Sequence, residues 1–118
     1  MVQTDFRTAL QGTDEIEITV TGRTSGRSFS YPVWFVQEGE KLYLLPGKGP
    51  ESDWYKNLRK TPTIPLAAKG KTFTTSATLI TDEALVREVV EKFRDKYGAG
   101  TVNTLYSRLD AAVEVPLK

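Results

Sequence analysis

The chain has 118 residues, 39% hydrophobic and 26% charged, which fits one soluble globular domain and leaves no apolar run long enough for a membrane span. It has no cysteine and no histidine, so disulfides, thiolate nucleophiles, zinc–thiolate sites and any histidine base or triad are excluded. The net charge of +1 is far below the basic excess of proteins that grip nucleic acid by its phosphates. An enzyme made from this inventory would use carboxylates, Lys, Tyr, Ser or Thr, or would borrow a cofactor. The first residues, MVQTDFRTAL, have neither the basic start nor the apolar centre of a signal peptide, so the expected location is the cytoplasm.

Thr4 to Gly12 reads as a short helix, capped by Thr4, with Phe6 and Leu10 on one face and Gly12 at its end. EIEITVTG then alternates, with Ile16, Ile18 and Val20 on one side, as a half-buried strand does. SYPVWFVQ is a second strand, apolar on both faces and therefore expected at the centre of a sheet or at an interface, with pairing interrupted at Pro32. The turn at Gly39 leads to a third strand, KLYLLP. Ser52 to Pro62 predicts a helix near 52–60, capped by Ser52, with Trp54 and Leu58 sharing a face. TIPLAA and TFTTSATLI predict a fourth and a fifth strand around the Lys69–Gly70–Lys71 turn, with an edge or a bulge at Pro65. A longer helix is expected near 82–97, capped by Thr81 and ended by Gly98, with Val86, Val89, Val90, Phe93 and Tyr97 in one stripe. TVNTLYSRL predicts one or two further helical turns, and DAAVEVPL a last strand. Six mostly antiparallel strands with a late helix point to a small β-barrel in a mixed α+β domain over residues 1–118.

Two loops concentrate glycine and positive charge: Gly22, Arg23, Thr24, Ser25, Gly26 and Arg27 after the first strand, and Gly47, Lys48 and Gly49 after the third. If the first three strands form a meander, both loops lie at one end of the sheet, beside the helix that starts at Ser52. Such a place suits a phosphate or carboxylate. Glycines let the backbone approach, N–H groups can form a nest, and Arg and Lys supply charge. Neither a Walker loop nor G-x-G-x-x-G is present. Plainer roles stand beside this one. The arginines could pair with Glu15 or Glu17, Lys48 could be an ordinary loop lysine, and Trp54 could be core or dimer packing. Asn57 could be a capping residue, and Tyr31, Tyr97 and Tyr106 could be buried hydrogen-bonded tyrosines or proton donors.

In combination, T-G-R-x-S-G-R, an aromatic strand containing Pro32, the G-K-G loop and D-W-Y-x-N-L resemble the deazaflavin-dependent nitroreductase family. That family lies within the split β-barrel group that includes pyridoxamine 5′-phosphate oxidases. The resemblance covers about Ile18 to Leu66 and implies a six-stranded antiparallel split barrel, a homodimer, and a deazaflavin (coenzyme F-420) or FMN in a groove beside the barrel. It implies that Arg23, Ser25 and Arg27 face the phosphate or acidic tail, that Lys48 and Gly49 line the same groove, and that Trp54 and Asn57 shape the cofactor pocket. Tyr106 falls where relatives place a tyrosine near the substrate. The implied reaction is hydride transfer to a quinone, nitroaromatic or enone. No metal, nucleic acid or integral membrane association is expected. The alternative activities are non-catalytic binding of a flavin-like or other anionic ligand, single-stranded nucleic-acid binding, and a barrel without a ligand.

Overall fold

A computed structural model describes Phe6, residues 8–106 and residues 108–117. The expected Thr4 cap lies outside the described residues. Phe6 and residues 8–10 are helical; Phe6 and Leu10 are buried, and Gly12, at φ 77°, ends the turn.

Among the described residues, eight strand segments form two antiparallel four-stranded sheets. One holds β2 (Ser28–Trp34), β1 (Glu15–Thr21), β5 (Thr63–Ala68) and β6 (Lys71–Ser76), in that order. The other holds β3 (Val36–Glu38), β4 (Lys41–Leu44), β8 (Ala112–Pro116) and β7 (Thr78–Ile80). Helices α1 (Asp53–Lys60), α2 (Glu83–Tyr97) and α3 (Ala99–Leu105) complete the α+β fold.

The expected six strands become eight segments because the second and fifth each break. The ladders stay within each sheet and close no barrel; β2–β3 and β6–β7 carry the chain from one sheet to the other. The breaks fall at Phe35 and Ala77, where backbone groups leave the ladder and find other partners. The Phe35 N–H donates to Tyr97 Oη (3.2 Å), its carbonyl accepts from Tyr97 and Lys96, and the Ala77 N–H donates to the Pro62 carbonyl (2.8 Å). Buried peptide groups require such replacements.

β2 is an edge strand, not a central one. On its second apolar face Trp34 packs against α2, stacking on Tyr97 with centroids 4.2 Å apart. Its register with β1 runs unbroken through Glu17↔Pro32, because an edge strand tolerates a residue without an N–H. Pro65 acts differently. β5 is internal, and its ladder with β1 consists of Glu17↔Ala67 and Ile18↔Leu66, stopping one residue before the proline.

The inner core lies between the sheets. Ile16, Ile18, Val20, Ile64 and Leu66 meet Leu42, Leu44, Val113 and Val115, and α1 adds Trp54, Tyr55 and Leu58. A second layer lies outside β4 and β8, where Val86, Val89, Val90 and Phe93 of α2 and Val102 of α3 cover Tyr43 and Ala112. Each large buried side chain of this stripe contributes about 1.5–3 kcal/mol. The α2 cap is Asp82, not Thr81: its carboxylate accepts the Leu85 N–H (3.1 Å). Gly98 ends α2 as expected.

Candidate functional site

The Gly22–Arg27 loop is closed on itself. The Gly22 N–H donates to the Arg27 carbonyl (2.7 Å), Gly26 N–H to the Gly22 carbonyl (3.0 Å), and Arg27 N–H to Ser25 Oγ (3.2 Å). Gly26 takes φ 74°, and a side chain at Gly22 would collide with Phe29 and Ser25. With the Arg23 N–H donating to Asn57 Oδ1 (3.1 Å), four of the six loop N–H groups are occupied. The loop therefore offers a smaller nest of backbone donors than expected, with only the consecutive Thr24 and Ser25 N–H groups unoccupied among the described residues. It presents side chains, with Thr24 and Ser25 hydroxyls beside Arg23.

Arg23 is held by α1, and neither Glu15 nor Glu17 is its partner. Its guanidinium Nη1 donates to Asn57 Oδ1 (2.8 Å), Nη2 lies 3.6 Å from Asp53 Oδ1, and its carbonyl accepts from Lys60 Nζ (2.8 Å). Asn57 is buried at 4% exposure, so one amide oxygen fixes both backbone and head of Arg23. Its Nδ2 bonds no described residue. Gly22, Arg23, Ser25, Phe29, Tyr31 and Asn57 are among the residues that line a cavity of about 270 Å³ here.

Around the same strand and helix lies an aromatic cavity of about 230 Å³, with Pro32, Val33, Trp34, Trp54, Gly47 and Tyr106 in its walls. Trp54 is also part of the inner core, so its expected packing role and its place in a cavity wall are both met. Tyr106 meets the edge of Trp34, with centroids 6.4 Å apart, and its hydroxyl bonds no described residue. Burial pushes that hydroxyl up to about 12, so it keeps its proton at ordinary pH. Tyr97 is pushed up as well, by burial first, and its hydroxyl is engaged with backbone.

Lys48 and Gly49 lie along neither cavity. Their loop turns toward the segment before β8, where Lys48 forms a bridge with Arg108 and Gly49 packs under Arg108 and Asp110, themselves an ion pair. Ser52 starts α1 but does not cap it through its hydroxyl; Oγ accepts the Lys48 N–H (2.8 Å) and ties the loop to the helix. Arg27 is exposed and lines neither cavity, and its side chain has no partner among the described residues. The structure thus gathers Arg23, Ser25 and Asn57 in one cavity and Trp54 and Tyr106 in the other, with Lys48 and Gly49 at the foot of α1.

Sequence reasoning missed three features. Lys56, Arg59 and Lys60 join Arg23 around a shallow cationic cavity of about 400 Å³, and helical spacing on the polar face of α1 could have shown it. Trp34 joins a cavity wall because β2 is an edge, which the apolar pattern concealed. The Arg108–Asp110 contact with Gly49 left no local signal.

The donors present fit a flavin-like cofactor with an anionic tail: cationic and hydroxyl side chains beside one cavity, and two tryptophans beside the next. No curated protein matches the chain significantly. Among solved structures, an F420-H2 dependent reductase (FDR-A) is 22% identical, with TM-score 0.67, covering 86% of this chain and 93% of its own. A domain-swapped dimer is 24% identical, with TM-score 0.67 and coverage of 96% and 93%. A candidate pyridoxamine 5′-phosphate oxidase from Listeria innocua is 15% identical, with TM-score 0.68 and coverage of 98% and 92%. Such identities speak for a shared fold. The family model for F420H(2)-dependent quinone reductase matches residues 2–109, nearly the whole chain, and the chain belongs to that family.

Proposed function

We propose that the chain is an F-420-dependent reductase that passes a hydride to a small electron-poor acceptor of quinone, nitroaromatic or enone type, and that it works as a homodimer. The observation that carries this reading is the pair of cavities that share β2 and α1 as walls, one lined by Arg23, Asp53, Asn57 and the Thr24 and Ser25 hydroxyls, the other aromatic. When bound, the reduced cofactor supplies the hydride.

The protein's part is binding, orientation and proton supply. Arg23, held by Asn57, meets the anionic end together with the Ser25 hydroxyl, while Lys56 and Lys60 add charge from the cationic cavity that Arg23 also lines. Trp34 and Trp54 give the ring system flat apolar surfaces and exclude water. Two-electron reduction of a quinone also needs protons at oxygen, and Tyr106 holds one beside the cavity, at a hydroxyl that bonds no described residue. The domain-swapped relative supports the homodimer, with the exposed β2 edge beside both cavities as its natural seat.

Titration with oxidised and reduced F-420 and with FMN tests this. F-420 is expected to bind in the micromolar range, and the Arg23→Ala, Lys56→Ala, Lys60→Ala triple variant to bind roughly a hundredfold more weakly with a flatter salt dependence. Unchanged affinity in the triple variant rejects the anion site. Binding without turnover of any of the three acceptor types would make the chain a ligand-binding member, and preference for FMN would replace the cofactor. Because Tyr106 stays protonated, kcat is expected to show no tyrosine-type decline below about pH 11, and Tyr106→Phe to lower kcat about tenfold or more. A decline centred near pH 9, abolished in Tyr106→Phe, would contradict this proton assignment.

A further inference from the structure

The C-terminal turn of α2 reaches across to the strand break that adjoins the aromatic cavity. At Phe35 neither sheet supplies ladder partners, and α2 supplies them instead. Tyr97 Oη lies 2.7 Å from the Phe35 carbonyl, accepts the Phe35 N–H at 3.2 Å, and lies 2.8 Å from the Asp14 carbonyl. Lys96 Nζ donates to the same Phe35 carbonyl (2.7 Å) and sits 3.9 Å over the Phe35 ring. The Tyr97 ring lies nearly parallel under Trp34, at 12° and 4.2 Å. Trp34 and Glu15 face each other across the β1–β2 ladder, and both line the aromatic cavity. One tyrosine therefore grips the residue after Trp34 and the residue before Glu15, and backs the Trp34 ring itself.

We propose that Tyr97, with Lys96 as its auxiliary, is a positioning residue that sets the Trp34 wall of the aromatic cavity by clamping the β2–β3 break. Tyr97 does not line the cavity, and its hydroxyl is committed to backbone, so it acts only through Trp34 and Glu15. A kink without ladder bonds has no intrinsic reason to hold one geometry, and the clamp provides it. The functional side of this inference rests on the proposed role of the aromatic cavity in holding the reacting rings. The clamp itself rests on contacts alone.

The test uses full-length protein labelled with 5-fluorotryptophan, which gives one fluorine resonance each for Trp34 and Trp54. Tyr97→Phe keeps the stacked ring and removes only the hydroxyl. It is expected to shift and broaden the Trp34 resonance, leave that of Trp54 in place, and raise KM for 2-methyl-1,4-naphthoquinone about tenfold with kcat changed less than about threefold. Lys96→Met is expected to do the same more weakly, about threefold in KM, and carries the test if Tyr97→Phe does not fold. A lowered melting temperature with an unmoved Trp34 resonance and an unchanged KM would reduce Tyr97 to scaffold and overturn the proposal. If the wild type neither binds F-420 nor reduces the quinone, the functional reading fails by itself; the Trp34 resonance then decides the clamp, a shift supporting it and none rejecting it.

Discussion

Asn57→Asp is expected to leave the protein folded while weakening F-420 binding ten- to a hundredfold, whereas Asn57→Ala should damage both stability and binding. The difference follows from one oxygen. Asn57 Oδ1 accepts from the Arg23 backbone N–H and from its guanidinium, in a buried position. Alanine leaves that part-buried N–H without a partner and the guanidinium with Asp53 alone, a loss of about 2 kcal/mol. Aspartate preserves both acceptors and gives Arg23 a full counter-charge, so urea midpoints should stay near the wild type. The new carboxylate, however, joins that of Asp53 in the wall of the cavity proposed to receive an anion. A like charge within about 5 Å costs one to three kcal/mol at the effective dielectric of a partly open site. Chemical denaturation and fluorescence titration on the two variants check this. If Asn57→Asp binds F-420 as tightly as the wild type, the anionic end lies elsewhere.

This division of labour inside one side chain was only half visible in the sequence. The residue types were legible: Arg23, Ser25 and Asn57 do meet, and Trp54 and Tyr106 do share a cavity. Their spacing could not show that Arg23 would be fastened by Asn57, because the contact spans 34 residues and depends on how α1 docks beside β1. Nor could it show that the loop would close three of its own N–H groups on itself. Glycine-rich turns look alike in sequence whether their donors point outward or close on Gly22 and Ser25. The convergence of both loops on one groove was over-read for a related reason: the third strand's loop leaves from the other sheet and turns toward Arg108 and Asp110.

The fold was most legible where one element needs only its own pattern. The alternation of β1, the Val86–Phe93 stripe of α2 and the Lys69–Gly70 turn all follow from local periodicity or dihedral preference. It was least legible where strands pass between sheets. SYPVWFVQ reads as one strand apolar on both sides, and only Lys96 and Tyr97, about sixty residues on, reveal that it is two segments with a clamp between them. Proline misled in both directions. Pro32 is harmless because its strand is an edge, while Pro65 ends one ladder of an internal strand. The α2 cap moved by one residue because Asp82 and Thr81 are both good caps, and the carboxylate reached the Leu85 N–H.

Gly49→Ala is expected to be among the most destabilising single-methyl changes in the chain, at about 2–4 kcal/mol, and Gly26→Ala supplies the control. Both glycines have positive φ, 58° and 74°, so both substitutions incur the left-handed cost of about 1 kcal/mol. Around Gly26 there is open space, and nothing further is lost. At Gly49 the added methyl would press into the Asp110 carboxylate and the Arg108 stem, which the Lys48–Arg108 bridge holds close. Relief requires the loop or the Arg108–Asp110 pair to move, a cost of overpacking of about 1–3 kcal/mol. The displacement would travel along a short path: Lys48 N–H holds Ser52 Oγ, Ser52 starts α1, and α1 carries both Trp54 and Asn57. Gly49→Ala is therefore expected to weaken F-420 binding about tenfold even where the protein stays folded, while Gly26→Ala costs stability alone. Equal melting temperatures for the two variants would show that the Arg108–Asp110 segment yields freely, and that Gly49 serves the turn and not the closeness of the two segments.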